Sequence, residues 1–368
     1  MYQENDLVRI AKRDHNKKRN YLVVDPLQGK HIPVSPSKAL ALFDTLAEEV
    51  KNAYPDEKLL VIGFAETATA IGAEAAIYLG ADYIQTTREP IDGVHYLYFS
   101  EEHSHATEQK LVREDMDRAF ADTDRIVFVE DEVTTGNTIL NIVNILEKQY
   151  PEKCRFSVAS LLNGMTEENL ERYAQRGINL HWLVKTDHSR FTEIADRYLG
   201  NGTCHSCDLQ KTELPKEIQI TGAVNTRRLC NCEQYQKACE DLWKNVTDRI
   251  GIEAQKKILV IGTEECMYPA LFIGKKLEEE GCLVKSHSTT RSPICVGNEE
   301  DYPLRERYEL RSIYDENRVT YLYDIQTYDL VLIVTDAAYR KKDDQTGLTS
   351  LVNALKTKNH RIEVIRWC

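Results

Sequence analysis

The chain repeats itself. Lys58-Leu-Leu-Val-Ile-Gly63 returns as Lys257-Ile-Leu-Val-Ile-Gly262, and each copy runs on into a glutamate, an alanine-containing helical stretch and an Ile-Gly pair, Ile71-Gly72 and Ile273-Gly274. Thr86-Thr-Arg-Glu-Pro-Ile91 is matched by Thr289-Thr-Arg-Ser-Pro-Ile294, Asp124-Arg-Ile-Val-Phe-Val-Glu-Asp131 by Asp329-Leu-Val-Leu-Ile-Val-Thr-Asp336, and Thr135-Gly-Asn-Thr138 by Thr346-Gly-Leu-Thr349. The offsets are 199, 203, 205 and 211 residues, so the blocks keep their order with small insertions between them. A chance resemblance between two βαβ units explains one strand match, not four blocks in order. A repeat this long is a duplicated domain rather than a solenoid, whose periods run from about 20 to 50 residues. The chain has 368 residues, and at roughly 100–200 residues per domain two copies fill it.

Short apolar strands alternate with helical patterns. Lys58–Ile62, Ile126–Val129, Phe156–Leu162 and Leu180–Val184 read as strands. Ser37–Val50, Thr67–Leu79 and Thr138–Glu147 read as helices. This alternation predicts an α/β chain with two Rossmann-like parallel-sheet units, the second divergent.

Hydrophobic residues make up 42% and charged residues 29%, a globular balance rather than a disordered or fibrous one. Acidic residues outnumber basic ones 59 to 47, for a net charge of −12. That balance lacks the global footprint of a duplex nucleic-acid binder, and any phosphate site must be built locally. No apolar run approaches the roughly 20 residues that span a bilayer. Met1 to Asn20 is polar and lacks the apolar core of a secretory signal, and its basic stretch, Lys12 to Arg19, reads as a solvated or frayed terminus. A cytoplasmic protein is expected, with its ten cysteines present as thiols or metal ligands.

Ile126-Val-Phe-Val-Glu-Asp-Glu-Val-Thr-Thr-Gly-Asn-Thr138 places an acidic pair at the end of an apolar strand, then a hydroxyl- and glycine-containing loop that opens a helix. Successive N–H groups over Thr134, Thr135, Gly136, Asn137 and Thr138 can point into the loop, and the helix adds the positive end of its dipole. Gly136 permits a tight turn, and the threonine hydroxyls can donate to phosphate oxygens. Glu130 and Asp131 are placed to accept from vicinal hydroxyls. A phosphate receiver beside a diol receiver describes a ribose 5-phosphate site. The plainer alternative is a capped helix behind a strand, with acids that only solubilise.

This stretch resembles the signature of the type I phosphoribosyltransferases, which bind the ribose phosphate of phosphoribosyl pyrophosphate (PRPP) in such a loop. Glu132 departs from it, standing where most members carry an aliphatic residue. The resemblance implies a phosphoribosyltransferase-like fold in both copies. It also implies a pyrophosphate loop in Gly63-Phe-Ala-Glu-Thr-Ala68, where Ala65, Glu66 and Thr67 would offer backbone amides and Arg88 a cation. Taken alone, Gly63 is an ordinary βα turn and Arg88 a surface arginine. Pro90 to Arg113 is long and polar and lies where type I members carry a mobile hood that excludes water. Within it His103, His105 and Lys110 are candidate proton donors or phosphate partners. The two histidines could instead bind a metal, or simply face solvent. The implied reaction displaces pyrophosphate from the anomeric carbon by a nitrogen or carbon nucleophile. Mg2+ would be held mainly by the pyrophosphate and ribose hydroxyls, with Glu130 and Asp131 stabilising an oxocarbenium-like transition state.

In the second copy Thr335 and Asp336 stand where Glu130 and Asp131 stand, so one acid is lost, and an insertion near Ala337 to Lys342 separates Asp336 from Thr346-Gly-Leu-Thr349. The phosphate loop is therefore not expected to fold the same way. Thr290-Arg-Ser-Pro293 is retained and resembles the TRSP domain named after those residues. In one bacterial family that domain follows an orotate-phosphoribosyltransferase-like domain. The resemblance implies an association with tellurite-resistance and stress gene clusters and a nucleoside-like product. Arg291 and Ser292 are candidates for binding an anionic or acceptor group, against a strand-to-turn motif in a degenerate copy. Between the copies, Cys204-His-Ser-Cys207 and Cys230-Asn-Cys232 offer four thiols in two close pairs, a pattern that suits structural Zn2+. Cys239 or His205 could substitute as ligands, and free thiols or redox chemistry are the alternatives.

The expected division is 1–200 for the transferase domain, 201–235 for a cysteine-containing linker and 236–368 for the TRSP domain. The expected function is PRPP- and Mg2+-dependent transfer to a small nucleobase-like acceptor. The rival is a non-catalytic PRPP-binding regulator, which the acidic charge and the lack of a helix-turn-helix argue against. A third reading is a scaffold for partner enzymes. A homodimer, an internal pseudo-dimer and biosynthetic partner enzymes are all open; neither nucleic acid nor a membrane is expected.

Overall fold

From the N-terminus, α1 (Glu4–Leu7) precedes β1 (Arg9–Lys12) and β2 (Tyr21–Val24), which pair antiparallel. The helix α2 (Pro36–Ala53) leads into the first repeat block: β3 (Leu59–Gly63), α3 (Thr69–Leu79) and β4 (Asp82–Gln85). An antiparallel hairpin follows, β5 (Tyr96–Phe99) and β6 (Gln109–Val112), and then α4 (Arg113–Ala119). Next come β7 (Arg125–Val133), α5 (Asn137–Gln149), β8 (Arg155–Asn163), α6 (Glu167–Gln175), β9 (Asn179–Lys185) and α7 (Phe191–Asp196). Three short strands, β10 (Thr203–His205), β11 (Glu217–Ile220) and β12 (Cys230–Asn231), precede α8 (Cys232–Arg249). The second block runs β13 (Lys257–Gly262), α9 (Tyr268–Glu279), β14 (Leu283–Ser288), β15 (Glu306–Arg311), β16 (Val319–Tyr323), β17 (Leu330–Thr335), α10 (Thr346–Lys356) and β18 (Ile362–Trp367). This computed structural model describes residues 2–14, 19–99, 109–151, 154–339 and 345–368.

Two compact units result. Unit 1 comprises residues 1–4, 40–187 and 224–237; unit 2 comprises 5–39, 188–223 and 238–368. The unit 1 sheet has the order β12-β4-β3-β7-β8-β9, parallel except for β12. Its central strands are buried on both faces, which is why Leu60-Val-Ile62 and Ile126-Val-Phe-Val129 read as unbroken apolar runs. The chain passes from β3 to β4 on one side and returns to β7 on the other. The order therefore reverses between β3 and β7, the switch point where open α/β sheets bind ligands at the carboxyl ends of their strands.

Unit 2 repeats this plan. Its sheet order is β11-β18-β17-β13-β14, all parallel, with the reversal between β13 and β17. Individual hydrogen bonds repeat as well. The Lys58 and Lys257 amides donate to Asp124 Oδ2 and Asp329 Oδ2, each at 2.8 Å. The Thr86 and Thr289 amides donate to the carbonyls of Gly63 and Gly262, at 2.9 and 3.1 Å. The duplication is thus kept in the contacts that fix the strand ends.

Several details differ from the sequence reading. β7 runs past Val129 through both acids to Val133, because Glu130 pairs with Ser160 and Val133 with Asn163 on β8. α3 starts at Thr69 rather than Thr67, since the residues before it form a turn closed by the Ala68 amide on the Phe64 carbonyl at 3.0 Å. The frayed terminus expected over Lys12 to Arg19 does not hold at its start. Lys12 ends β1, Arg13 bridges Ile294, and Leu7 and Ala11 are fully buried. Residues 201–235 supply strands to three sheets: β10 pairs with β15, β11 with β18, and β12 with β4. Among the described residues no helix is long and apolar enough to cross a membrane.

Candidate active site

Two loops flank the switch point of unit 1. The first follows β3. A Cβ on Gly63 would lie 2.6 Å from the Tyr83 hydroxyl, and one on Gly72 would lie 2.9 Å from the Cα of Gly63. The two glycines therefore let α3 lie directly on β3, bringing its first turn to the loop. The Ala65–Glu66 peptide is cis. Ala65 is held from both sides: its N–H donates to Thr86 Oγ1 at 2.8 Å, and its carbonyl accepts from Gln109 Nε2 at 2.9 Å. The Thr86 hydroxyl donates in turn to Gln109 Oε1, closing a ring among buried groups. The Ala65 amide thus serves the scaffold, which corrects its expected place among the pyrophosphate donors; Glu66 and Thr67 stand beside it. Sequence reasoning missed Thr86 and Gln109. Thr86 carried a signal, because its repeat partner Thr289 makes the same bond, to the Glu264 amide at 3.0 Å.

The second loop follows β7. Gly136 has φ +71°, and a Cβ there would collide with the Tyr173 hydroxyl and lie 2.6 Å from the Met165 methyl. Glycine is required both for the left-handed conformation and for the space. α6 supports the loop from behind. Arg172 Nη2 donates to the Thr135 carbonyl and to Asn137 Oδ1, each at 2.7 Å, and the buried Tyr173 hydroxyl donates to the Gly136 carbonyl at 2.6 Å. With these carbonyls turned to α6, the N–H groups of the same trans peptides, Gly136 and Asn137, point the opposite way, and the Asn137 N–H donates to Thr135 Oγ1 over a long 3.3 Å. Asn137 opens α5, whose positive dipole end faces the same side as Thr138. Neither Arg172 nor Tyr173 was legible as a site residue.

Of the acidic pair, Asp131 ties the loops together: Thr67 Oγ1 donates to its Oδ1 at 2.9 Å. Burial raises the Asp131 pKa, Glu132's charge adds to the rise, and the Thr67 hydrogen bond opposes it. Glu130 is half-buried beside it, on the alternate side of the strand. Thr134 and Thr135 are half-buried between these acids and Gly136. At the rim the hairpin β5–β6 is rooted by Thr87 and Lys110, which exchange N–H···O bonds of 3.0 and 3.1 Å. Arg88 is half-buried just beyond Thr87. Lys110 Nζ lies 4.5 Å over the Tyr96 ring. His103 and His105 fall outside the described residues.

The same crevice in unit 2 is filled differently. Glu264 and Glu265 occupy the positions of Ala65 and Glu66. Arg291, the counterpart of Arg88, donates from Nε to Glu264 Oε2 at 2.8 Å and from Nη2 to Glu265 Oε1 at 3.4 Å. Arg318 Nη1 adds a bond of 2.9 Å to the same Glu264 oxygen, and the Ser312 hydroxyl bonds the other oxygen. Asp336, just past β17, accepts from the Tyr314 hydroxyl at 2.5 Å. Ser292 turns its amide to Thr290 Oγ1 at 3.1 Å and its carbonyl to the Tyr323 hydroxyl at 2.7 Å. Arg291 is thus engaged with two carboxylates, and Ser292 is part of a strand-to-turn structure.

The thiols divide between the units. Cys204 is exposed on β10 and Cys207 half-buried, both in unit 2. Cys230 and Cys232 are buried in unit 1, where the Cys230 thiol donates to the Tyr83 carbonyl at 3.4 Å and burial pushes its pKa up to about 12. His205 Nε2 lies 2.8 Å from Glu306 Oε1. Among the described residues no three His, Cys, Asp or Glu side chains are grouped to hold a metal ion, so the zinc ligands expected at Cys204, Cys207, Cys230 and Cys232 gain no support.

Residues 7–189 match the family described as phosphoribosyl transferase, and residues 226–355 match the TRSP domain that lies C-terminal to it. Among solved structures, the chain is similar to adenine phosphoribosyltransferase from Giardia lamblia complexed with 9-deazaadenine, at 18% identity and a TM-score of 0.37, covering 50% of this chain and 96% of that one. The Rhodothermus marinus adenine phosphoribosyltransferase gives 14% identity and a TM-score of 0.35, with 50% and 96% covered. The Trypanosoma brucei adenine phosphoribosyltransferase, in complex with AMP, pyrophosphate and ribose-5-phosphate, gives 14% identity and a TM-score of 0.36, with 49% and 76% covered. No curated protein matches the chain significantly. With both halves of one family architecture matched in order, and with the unit 1 loops placed at its switch point, the chain belongs to the phosphoribosyl transferase family that carries a C-terminal TRSP domain, and it is a phosphoribosyltransferase.

Proposed function

We propose that unit 1 transfers the ribosyl 5-phosphate group of PRPP to a nitrogen or carbon atom of a nucleobase-like acceptor and releases pyrophosphate. The observation that carries this reading is the Thr67–Asp131 hydrogen bond of 2.9 Å, which joins the loop suited to pyrophosphate to the loop suited to ribose phosphate. One substrate bearing both groups spans them. The amides of Gly136 and Asn137, with the α5 dipole, receive the 5-phosphate, and Thr134, Thr135 and Thr138 add hydroxyls. Glu130 and Asp131 accept from the ribose diol and place negative charge beside the developing cation. Arg88 and Lys110 at the rim supply positive charge near the pyrophosphate.

Mg2+ fits this site as an ion brought on the substrate. Among the described residues no three ligating side chains are grouped, and magnesium on phosphates is typically held by one or two carboxylates plus phosphate oxygens; here the carboxylates are Glu130 and Asp131. Bound there, it would neutralise the leaving pyrophosphate. An orotate-like acceptor and a role in tellurite or stress response rest on the sequence resemblance. Arg291 and Ser292 have no part in the proposed reaction.

The test is pyrophosphate release from PRPP and Mg2+ with a panel of purine and pyrimidine bases. Release with one base class supports the proposal. Tight PRPP binding without turnover on any base would favour the regulatory reading.

A further inference from the structure

The strand β12 lies in the stretch matched as the TRSP domain, yet it is built into unit 1. Cys230 pairs with Tyr83 and Asn231 with Asp82. Just before it, the Gln85 amide donates to the Thr226 carbonyl, and the Thr226 hydroxyl donates to Gln85 Oε1, both at 2.8 Å. Between these contacts, Arg228 reaches Asp115 in the first turn of α4. Its Nε lies 2.5 Å from Oδ2 and its Nη2 3.0 Å from Oδ1, while the Leu229 amide donates to Oδ2 at 3.1 Å. Arg118 adds a bond from α4 itself. Asp115 has 0% exposure. A carboxylate without solvent stays ionised only when donors of this kind surround it. Burial alone would raise its pKa; the guanidinium groups and the amide outweigh it and hold the carboxyl below its usual value.

α4 continues directly from β6. At the start of β6 stands Gln109, whose side chain fixes the Ala65 peptide of the pyrophosphate loop. Arg228, Asp115, β6, Gln109 and Ala65 thus form one connected path from the TRSP stretch to the active site. We propose that Arg228 is a positioning residue for phosphoribosyl transfer: by holding Asp115 it sets α4 and β6, and through Gln109 it sets the loop that receives pyrophosphate. The role extends the PRPP reading of unit 1 and rests on it. It also gives the first residues of the TRSP stretch a task within the transferase unit.

The experiment is calorimetric binding of PRPP with Mg2+ to the full chain, with thermal unfolding confirming that each variant is folded. R228Q is expected to bind about tenfold more weakly, because the buried Asp115 carboxylate loses its two-pronged charged partner. R228K keeps one charged donor and recovers part of that loss. N231A removes the side-chain bonds from β12 to Asp82 and to the first amides of α8 without touching Asp115, and should bind as the wild type does. In a Q109A background, R228Q should add less than about twofold. The proposal is overturned if folded R228Q binds with wild-type affinity, if N231A weakens binding as much as R228Q, or if the Q109A and R228Q effects simply add. If R228Q does not fold, D115N carries the same expectation, and wild-type affinity there overturns it. Failure of the wild-type chain to bind PRPP would instead overturn the PRPP reading.

Discussion

At the ends of β3 and β13 the backbone turns alike, and in each turn an amide donates to the threonine hydroxyl that follows the next strand. Beyond that bond the two crevices part. Unit 1 places Ala65, Glu66 and Thr67 there and ties the turn to Asp131. Unit 2 places Glu264 and Glu265 there and neutralises them with Arg291 and Arg318. The glycines diverge in the same sense. Gly136 takes the left-handed conformation at the mouth of α5, whereas Gly347 lies inside α10, where a Cβ would come within 2.6 Å of the Ser312 backbone. One glycine shapes a loop and the other permits packing. The duplication kept the bonds that hold strand ends together and replaced the groups that face the crevice. A scaffold and the site grafted on it change independently.

The sharpest way to break this comparison is to remove Glu264. E264Q leaves Arg291 and Arg318 in a nearly buried site without their shared carboxylate, and losing one partner of such a network costs about 3–5 kcal/mol. Chemical denaturation should show that loss, while PRPP affinity stays at the wild-type value; a large affinity change would mean that unit 2 serves the reaction. D131N is the reciprocal test. It removes the charge that accepts from Thr67 and from the ribose diol, and binding of PRPP with Mg2+ should weaken about 10- to 100-fold, the range of a charged hydrogen bond of about 1.5–3 kcal/mol. D336N, at the corresponding place in unit 2, should leave PRPP affinity unchanged. Equal losses from both would show that the second crevice still binds substrate.

The strands and the repeat were readable because buried parallel strands are apolar throughout, and Leu59–Ile62 and Ile258–Ile261 are apolar runs of strand length closed by a glycine. The loop at Thr134 to Thr138 was readable for a different reason: its glycine, hydroxyls and acids are needed at fixed spacing. What the sequence hid was support through space. Gln109, Arg172 and Tyr173 act on backbone groups of loops 44, 37 and 37 residues away, and no local pattern marks such a partner. The fate of the cysteine pairs was not readable, because spacing within a pair does not say which sheet it joins: Cys204 lies on β10 and Cys230 on β12. Cys230 was placed by β12 pairing with β4, where its partner Tyr83 lies 147 residues earlier in the chain.

Acid should separate the units. His287 on β14 is buried where β4 has Ile84, each opposite an isoleucine of the neighbouring strand. Burial lowers its pKa to about 4, with the charge of Lys30 adding to the fall. An unfolded histidine titrates near about 6.5. The folded state therefore binds fewer protons between these values, so stability is full above the unfolded pKa and is lost as the pH drops below it. The slope is about 1.4 kcal/mol per pH unit, or roughly 2 kcal/mol by pH 5. Hydrogen exchange of β14 and β17 should quicken over that range relative to β3 and β7, and H287Q should flatten the dependence. Equal acid sensitivity in both units would remove this distinction.

The smallest effect concerns the loop's support from α6. Y173F deletes one donor to the Gly136 carbonyl, a neutral hydrogen bond of about 1 kcal/mol. That carbonyl keeps the Leu140 amide at 3.0 Å, so it is not left bare, and the buried ring still fills the same space. The fold should hold, with a thermal midpoint close to the wild-type value. PRPP affinity should fall about fivefold or less, because the Gly136 and Asn137 amides would lose part of what aims them at the phosphate. An unchanged affinity would mean that Arg172 alone orients the loop, and R172K would then be the variant to show it.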